Sequence, residues 1–245
     1  MQGNPVICLV GKAGPSLFGI GTAERLQRQF TRAGVADSVS PATIGSHDGP
    51  VIVIRADAVL DQPLIPALIQ TPQLLLLADT PEKTPLAARV NTQGAIATAE
   101  LLTRGESAAV FADFNPRTPA ELGVKFWKAL RKRETPYAFP VTEATAPAAE
   151  WRVFMGTYKG ATDIVTKYLW PVPAFHATRY LATHGITPNM VTVLGAFLTV
   201  LAFWLFLHGD FALGLAAAWL MTFLDTVDGK LARVTLASSK WGDIL

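Results

Sequence analysis

Cysteine is almost absent from this chain. Cys8 is the one thiol among 245 residues, so no disulfide can form within it. It lies in an apolar run that reads as a buried strand, and a reducing compartment suits it. Charge is scarce as well: 16% of residues are Asp, Glu, Lys or Arg, and the net charge is +2. That balance is too small to mark a nucleic-acid binder. Two phosphate-binding patterns are missing. Gly11-Lys-Ala-Gly14 and Gly19-Ile-Gly21 follow the first apolar run, yet neither makes Gly-x-Gly-x-x-Gly, and no Gly-Lys-[Ser/Thr] occurs. Met1 to Lys12 lacks the basic start and long apolar core of a signal peptide.

Apolar residues are plentiful. They make up half the chain and concentrate after Val191. The length suits one large or two modest domains. Up to about Pro140, short apolar runs alternate with helical patterns. Val6–Val10, Val51–Ile54, Leu74–Ala78 and Leu86–Val90 read as strands buried on both faces of a parallel sheet. Thr22–Ala33, Gln93–Leu102 and Thr118–Arg131 read as helices, the last opening on Thr118-Pro119 as cap and first residue. The alternation predicts a three-layer α/β domain over residues 1–140. His47-Asp48-Gly49 reads as a turn. Lys125, Lys128, Arg131, Lys132 and Arg133 form a basic face, either solvated or turned to anionic headgroups.

Residues 141–150 are rich in Thr, Ala, Pro and Glu and read as a linker. From Trp151 to Gly185, aromatics mix with Lys159, Lys167, His176 and Arg179, a pattern suited to a helix lying in a membrane interface. Pro171 and Pro173 should break it. In Ile186-Thr-Pro-Asn-Met-Val-Thr192 a helix starts, with Asn189 a candidate cap. Val191–Leu207 carries no charge and is at the short end of the length that spans a bilayer. After the turn His208-Gly-Asp210, Phe211–Leu224 returns. Lys167 and Arg179 precede the first span, and Lys230 and Arg233 follow the second. The positive-inside rule puts both flanks, and the α/β domain, in the cytoplasm.

The second span runs into Asp225-Thr-Val-Asp228-Gly229-Lys-Leu-Ala232-Arg233. On a continuing helix, Asp225, Asp228, Gly229 and Ala232 fall at i, i+3, i+4 and i+7, which is one face. Two carboxylates one turn apart can share a hard divalent cation such as Mg²⁺ or Mn²⁺. Small residues beside them let a ligand approach the backbone, and Arg233 offers a planar charge suited to phosphate. Ionisable groups beside a membrane span are costly and usually functional. The alternative is a helix end meeting water.

These residues resemble the signature of the CDP-alcohol phosphotransferase family, Asp-x2-Asp-Gly-x2-Ala-Arg-x8-Gly-x3-Asp-x3-Asp. Asp225, Asp228, Gly229, Ala232, Arg233 and Gly242 fall at its spacings. The resemblance covers about Gly156 to Leu245 and implies an all-α transmembrane bundle over residues 151–245, with its first two spans present. It implies Asp225 and Asp228 as metal ligands for Mg²⁺ or Mn²⁺. Thr187, Pro188, Asn189, Met190, Gly229, Ala232, Arg233 and Ser239 are implied as contacts to the CDP substrate. The implied reaction takes a CDP-alcohol, often CDP-diacylglycerol, and an acceptor alcohol to a phosphodiester and CMP. The implied setting is a multi-pass, homodimeric protein of the bacterial inner membrane. The signature's third aspartate would fall one residue after Leu245, and the family's catalytic base is its last aspartate. The chain as given is therefore expected to be the N-terminal part of a longer enzyme and inactive alone.

The first domain resembles nucleotidyltransferases of sugar or alcohol phosphates. The resemblance rests on Thr22 to Val35 as the helix ending in Ala-Gly-Val and on Val51 to Asp57 as the strand bearing a metal-binding aspartate. That family's long basic loop is compressed here to Gly11–Gly19, which leaves fewer amides and cations for a triphosphate. Three functions follow. The first is a membrane phosphotransferase with a degenerate nucleotidyltransferase-like domain. The second is a bifunctional cytidylyltransferase and phosphotransferase of the inositol-phosphate type. The third is a non-enzymatic membrane-anchored sensor or scaffold.

Overall fold

The computed structural model describes residues 5–122, 135–158 and 164–237. The chain divides into two compact units, with the boundary between Ala149 and Glu150.

The first unit is built on a five-stranded sheet. Its strands are β1 (Val6–Val10), β2 (Val51–Arg55), β4 (Leu74–Leu77), β5 (Pro85–Val90) and β6 (Asn115–Arg117), in the order β1-β2-β5-β4-β6. Alternate side chains serve opposite faces. Ile7, Ile52, Ile54, Leu74 and Leu76 pack with Leu26 and Phe30 of α1 (Thr22–Arg32) and with Leu64, Ile65 and Leu68 of α2 (Leu64–Gln70). Val6, Cys8, Val10, Val51, Val53 and Leu75 pack with Ala95, Ala99 and Leu102 of α3 (Thr92–Arg104). Helices therefore cover both faces, as the continuous apolar runs require.

The sheet is mixed, not parallel. β1 runs parallel to β2, and β4 to β6, but β5 is antiparallel to both of its neighbours. The cause is the connection from β4 to β5, residues 78–84, which is too short for a helical crossover and folds as a hairpin. A separate two-stranded ribbon pairs β3 (Ala58–Leu60) with β7 (Ala138–Pro140).

Residues 141–150 carry more structure than a linker needs. Val141 is buried and donates its amide to Asp57, and a turn from Thr142 leads into α4 (Ala146–Gly156). Of the helix expected from Thr118, only the start lies within the described residues, where the Thr118 amide and hydroxyl both bond the Glu121 carboxylate. The basic face at Lys125, Lys128, Arg131, Lys132 and Arg133 lies outside them.

In the second unit, the stretch from Trp151 to Gly185 is broken at Pro171, as the prolines predict. The chain leaves α4, and a π-helical turn, Val165–Leu169, precedes α5 (Pro171–Thr183). Pro171 opens α5 because a first-turn residue needs no amide hydrogen. Part of the aromatic content is internal packing: Phe175 lies against Trp151 and Phe154, edge to face. Glu150, buried, pairs with Arg179 at 2.7 Å and ties α4 to α5. Ile164, Tyr168, Leu169 and Tyr180 remain exposed, as an interfacial surface would have them.

The last two helices, α6 (Pro188–Leu207) and α7 (Phe211–Val234), form an antiparallel hairpin. Ala202, Leu205 and Ala217 make its dry seam. Gly214 is required there, because a Cβ on it would lie 2.7 Å from the Phe206 ring. Both helices are long and apolar enough to cross a membrane, yet only 22% and 17% of their most apolar stretches are buried. A hairpin at the core of a soluble protein would hide far more. Phe197, Val200, Phe203, Leu213 and Leu215 instead face outward, where lipid tails would cover them. Trp170 meets Trp219 and Phe223 edge to face and seats α5 on α7.

Candidate functional site

The expected helix does continue: α7 runs through Asp225–Arg233 without interruption and ends at Val234. Asp225 is exposed and Asp228 half-buried. They are close enough for the charge of one to act on the other. Among the described residues, neither has a salt-bridge partner. Two like charges on one helix face repel unless a cation lies between or beside them.

The hairpin register supplies a neighbour. The start of α6 and the end of α7 lie at the same end of the pair, because the turn at 208–210 divides them about equally. There the Thr192 hydroxyl, on α6, donates to Asp228 Oδ2 at 2.5 Å. This contact was not read from the sequence, although counting back from the turn finds it. Thr187, Pro188, Asn189 and Met190 form the first turn of α6, at this same end. The cap is Thr187, whose hydroxyl accepts from the Met190 amide at 3.4 Å, and not Asn189. Proline at the next position fixes that choice, since Asn189 is already inside the helix. Asn189 and Met190 are exposed.

Arg233 lies one turn beyond Gly229, and its guanidinium sits 3.5 Å from where a Cβ on Gly229 would be. That is ordinary contact distance, so the Gly229 surface is partly covered by Arg233. Ala232 is half-buried. Lys230, counted in the sequence as a flanking charge, is buried, with its ammonium 3.0 Å from the centroid of the Tyr158 ring. Burial pushes the Tyr158 phenol up to about 12. Ser239, Gly242 and Asp243 lie outside the described residues, as do Lys159 and Asp163.

The donor set fits a hard divalent cation in part. Two carboxylates without a cationic partner, one already oriented by a hydroxyl, are the oxygen ligands Mg²⁺ or Mn²⁺ takes. Among the described residues no group of three His, Cys, Asp or Glu is assembled. The pair could therefore supply only one side of a coordination shell.

In the α/β unit the glycine-rich loop is closed on itself. The Gly14 amide donates to the Thr22 hydroxyl at 2.9 Å, and that hydroxyl donates to the Ala56 carbonyl at 2.6 Å. Leu17 and Ile20 exchange backbone bonds, and Leu17, Phe18 and Ile20 are buried. A side chain on Gly14 would strike the Val141 carbonyl at 2.8 Å. These amides are not aimed at a phosphate. Asp57 is held by Arg55 through two bonds of 3.0 and 2.6 Å.

Comparison with known proteins places the helical end of the chain. Residues 185–245 match the CDP-alcohol phosphatidyltransferase family model, and the matched stretch contains the aspartate pair and Thr192. Over 66 residues it is 44% identical to an archaetidylinositol phosphate synthase of Pyrococcus horikoshii. That stretch is 26% of this chain and 35% of the relative, so the chain spans about a third of the length of the curated relative it matches.

Proposed function

We propose that the chain is a membrane transferase that moves a phosphoalcohol group from a CDP-alcohol to an acceptor hydroxyl and releases CMP. The observation that carries this reading is the Asp225–Asp228 pair. It lies in the matched segment, has no described cationic partner, and sits beside the first turn of α6. Asp225 and Asp228 would hold a divalent ion, which when bound neutralises the pyrophosphate and polarises the phosphorus under attack. Gly229 and Ala232 admit the nucleotide along α7. Arg233 binds phosphate oxygens, and Thr187 to Met190, with Ser239, contact the CDP moiety. The acceptor oxygen forms a new bond to phosphorus as the bond to the CMP oxygen breaks, and the hydroxyl proton leaves to a base.

A lipid donor of the CDP-diacylglycerol kind suits the exposed apolar surface of α6 and α7. The name of the relative makes an inositol phosphate the first acceptor class to try. We read the protein as multi-pass and dimeric, with the α/β unit on the cytoplasmic side. That unit resembles a nucleotidyltransferase but acts as a silent companion, since the loop amides of Gly14, Leu17 and Ile20 and the Asp57 carboxylate are engaged internally. This disfavours the bifunctional reading. The test is divalent-dependent CMP release from a CDP-alcohol by the protein in lipid nanodiscs. No release by a chain that carries the signature's last two aspartates, with any CDP-alcohol and acceptor pair, would favour a sensor or scaffold.

A further inference from the structure

We propose that Thr192 is the positioning residue of the aspartate pair: its hydroxyl fixes the Asp228 carboxylate so that Oδ1 is presented to the cation. This rests on the metal-dependent reading above. Thr192 Oγ1 lies 2.5 Å from Asp228 Oδ2 and 3.1 Å from the Pro188 carbonyl, one turn back on its own helix. A hydroxyl has one hydrogen, and a carboxylate is the stronger acceptor, so the hydrogen goes to Asp228. The Pro188 carbonyl stays beside Oγ1 in the arrangement a helical threonine adopts by default.

Threonine suits this role better than serine. The branched Cβ narrows χ1 to two helical rotamers, and the contact to Asp228 selects one of them before any cation arrives. The contact also joins two parts of the site that lie 36 residues apart. Asp228 belongs to the carboxylate pair, and Thr192 stands just after the first turn, Thr187 to Met190. A shift of α6 that displaced its first turn would therefore turn the carboxylate too. The effect of Thr192 runs through Asp228, as an outer partner orients a metal ligand.

The experiment measures Mn²⁺ affinity of the full chain in nanodiscs by electron paramagnetic resonance, with no substrate and no turnover. Thr192→Val keeps the shape and removes the hydroxyl. It should weaken Mn²⁺ binding by about 10- to 100-fold, while Thr192→Ser recovers most of the loss. In an Asp228→Asn background, Thr192→Val should add little, since the two act as one unit. Should valine fail to fold, by circular dichroism, Thr192→Ala serves in its place. If Asp225→Asn weakens binding and Thr192→Val and Thr192→Ala do not, the positioning role is wrong and the metal reading stands. If Asp225→Asn also leaves binding unchanged, or the wild type binds no Mn²⁺, the metal reading falls and takes this inference with it.

Discussion

Replacing Asp228 by asparagine separates charge from shape at this site. The asparagine carbonyl still accepts the Thr192 hydroxyl, so the contact between α6 and α7 survives. Asp228 is half-buried and has no salt bridge among the described residues, so its neutralisation strands no partner charge. The fold should therefore hold, with a thermal midpoint at or slightly above the wild type, because the repulsion from Asp225 is gone. Function should not hold. An amide is a poor ligand for a hard cation, and losing one preorganised electrostatic contact costs about 10²–10³ in rate, or roughly 3–4 kcal/mol in the barrier. The assay is CMP release in nanodiscs by the intact protein, with the signature's last two aspartates present, across a Mg²⁺ and Mn²⁺ titration, with thermal unfolding followed in parallel. Asp225→Asn should behave alike. Near-normal turnover by either folded variant would refute the argument and return the pair to an ordinary helix end.

Three further outcomes follow from the same structure. Cys8 is fully buried and its thiol is pushed up to about 11 by desolvation, so at pH 8 it stays protonated; a maleimide or disulfide reagent should label it only after unfolding. The intact protein, given CTP and alcohol phosphates, should release no pyrophosphate that depends on Asp57, while Asp57→Ala should cost about 1 kcal/mol of stability by losing its Arg55 pair. Tyr158→Leu should destabilise the helical unit by about 0.5–2 kcal/mol, measured by thermal unfolding in detergent, because the buried Lys230 loses its aromatic face. Tyr158→Phe should be close to neutral, since the Tyr158 hydroxyl has no hydrogen-bond partner among the described residues.

Much of the α/β unit was legible in the sequence because its central strands are long apolar runs. β1, β2, β4 and β5 stand within a residue of the expected bounds, and so does α1. The elements that escaped are short. β3 spans Ala58–Leu60 and continues the apolar character of the strand before it, so no period marks it off. β7 and β6 are three residues each and form by pairing with distant partners, which a local pattern does not reveal. The direction of β5 was legible and missed: a connection from Ala78 to Thr84 leaves no room for a crossover. The start of α6 carried the same Thr-Pro signal that was read at Thr118, yet there Asn189 was preferred to Thr187 as the cap.

The site was legible on its own helix and not across helices. Spacing alone sets Asp225 and Asp228 on one face, since α7 needs no partner to fix that geometry. Thr192 and Lys230 depend on what packs beside them. Lys230 follows Asp228 by two positions, which turns it by about 200° to the opposite side of α7. There it meets Tyr158 and not the carboxylates, so it counts as an interior charge more than as a flanking one. The Arg233 guanidinium lies over Gly229. Among the described residues, neither nearby cation of α7 forms a salt bridge with the aspartates. On the proposed reading, a pair of aspartates with no salt bridge from the Lys and Arg of its own helix, among the described residues, is available to a divalent ion brought from solution.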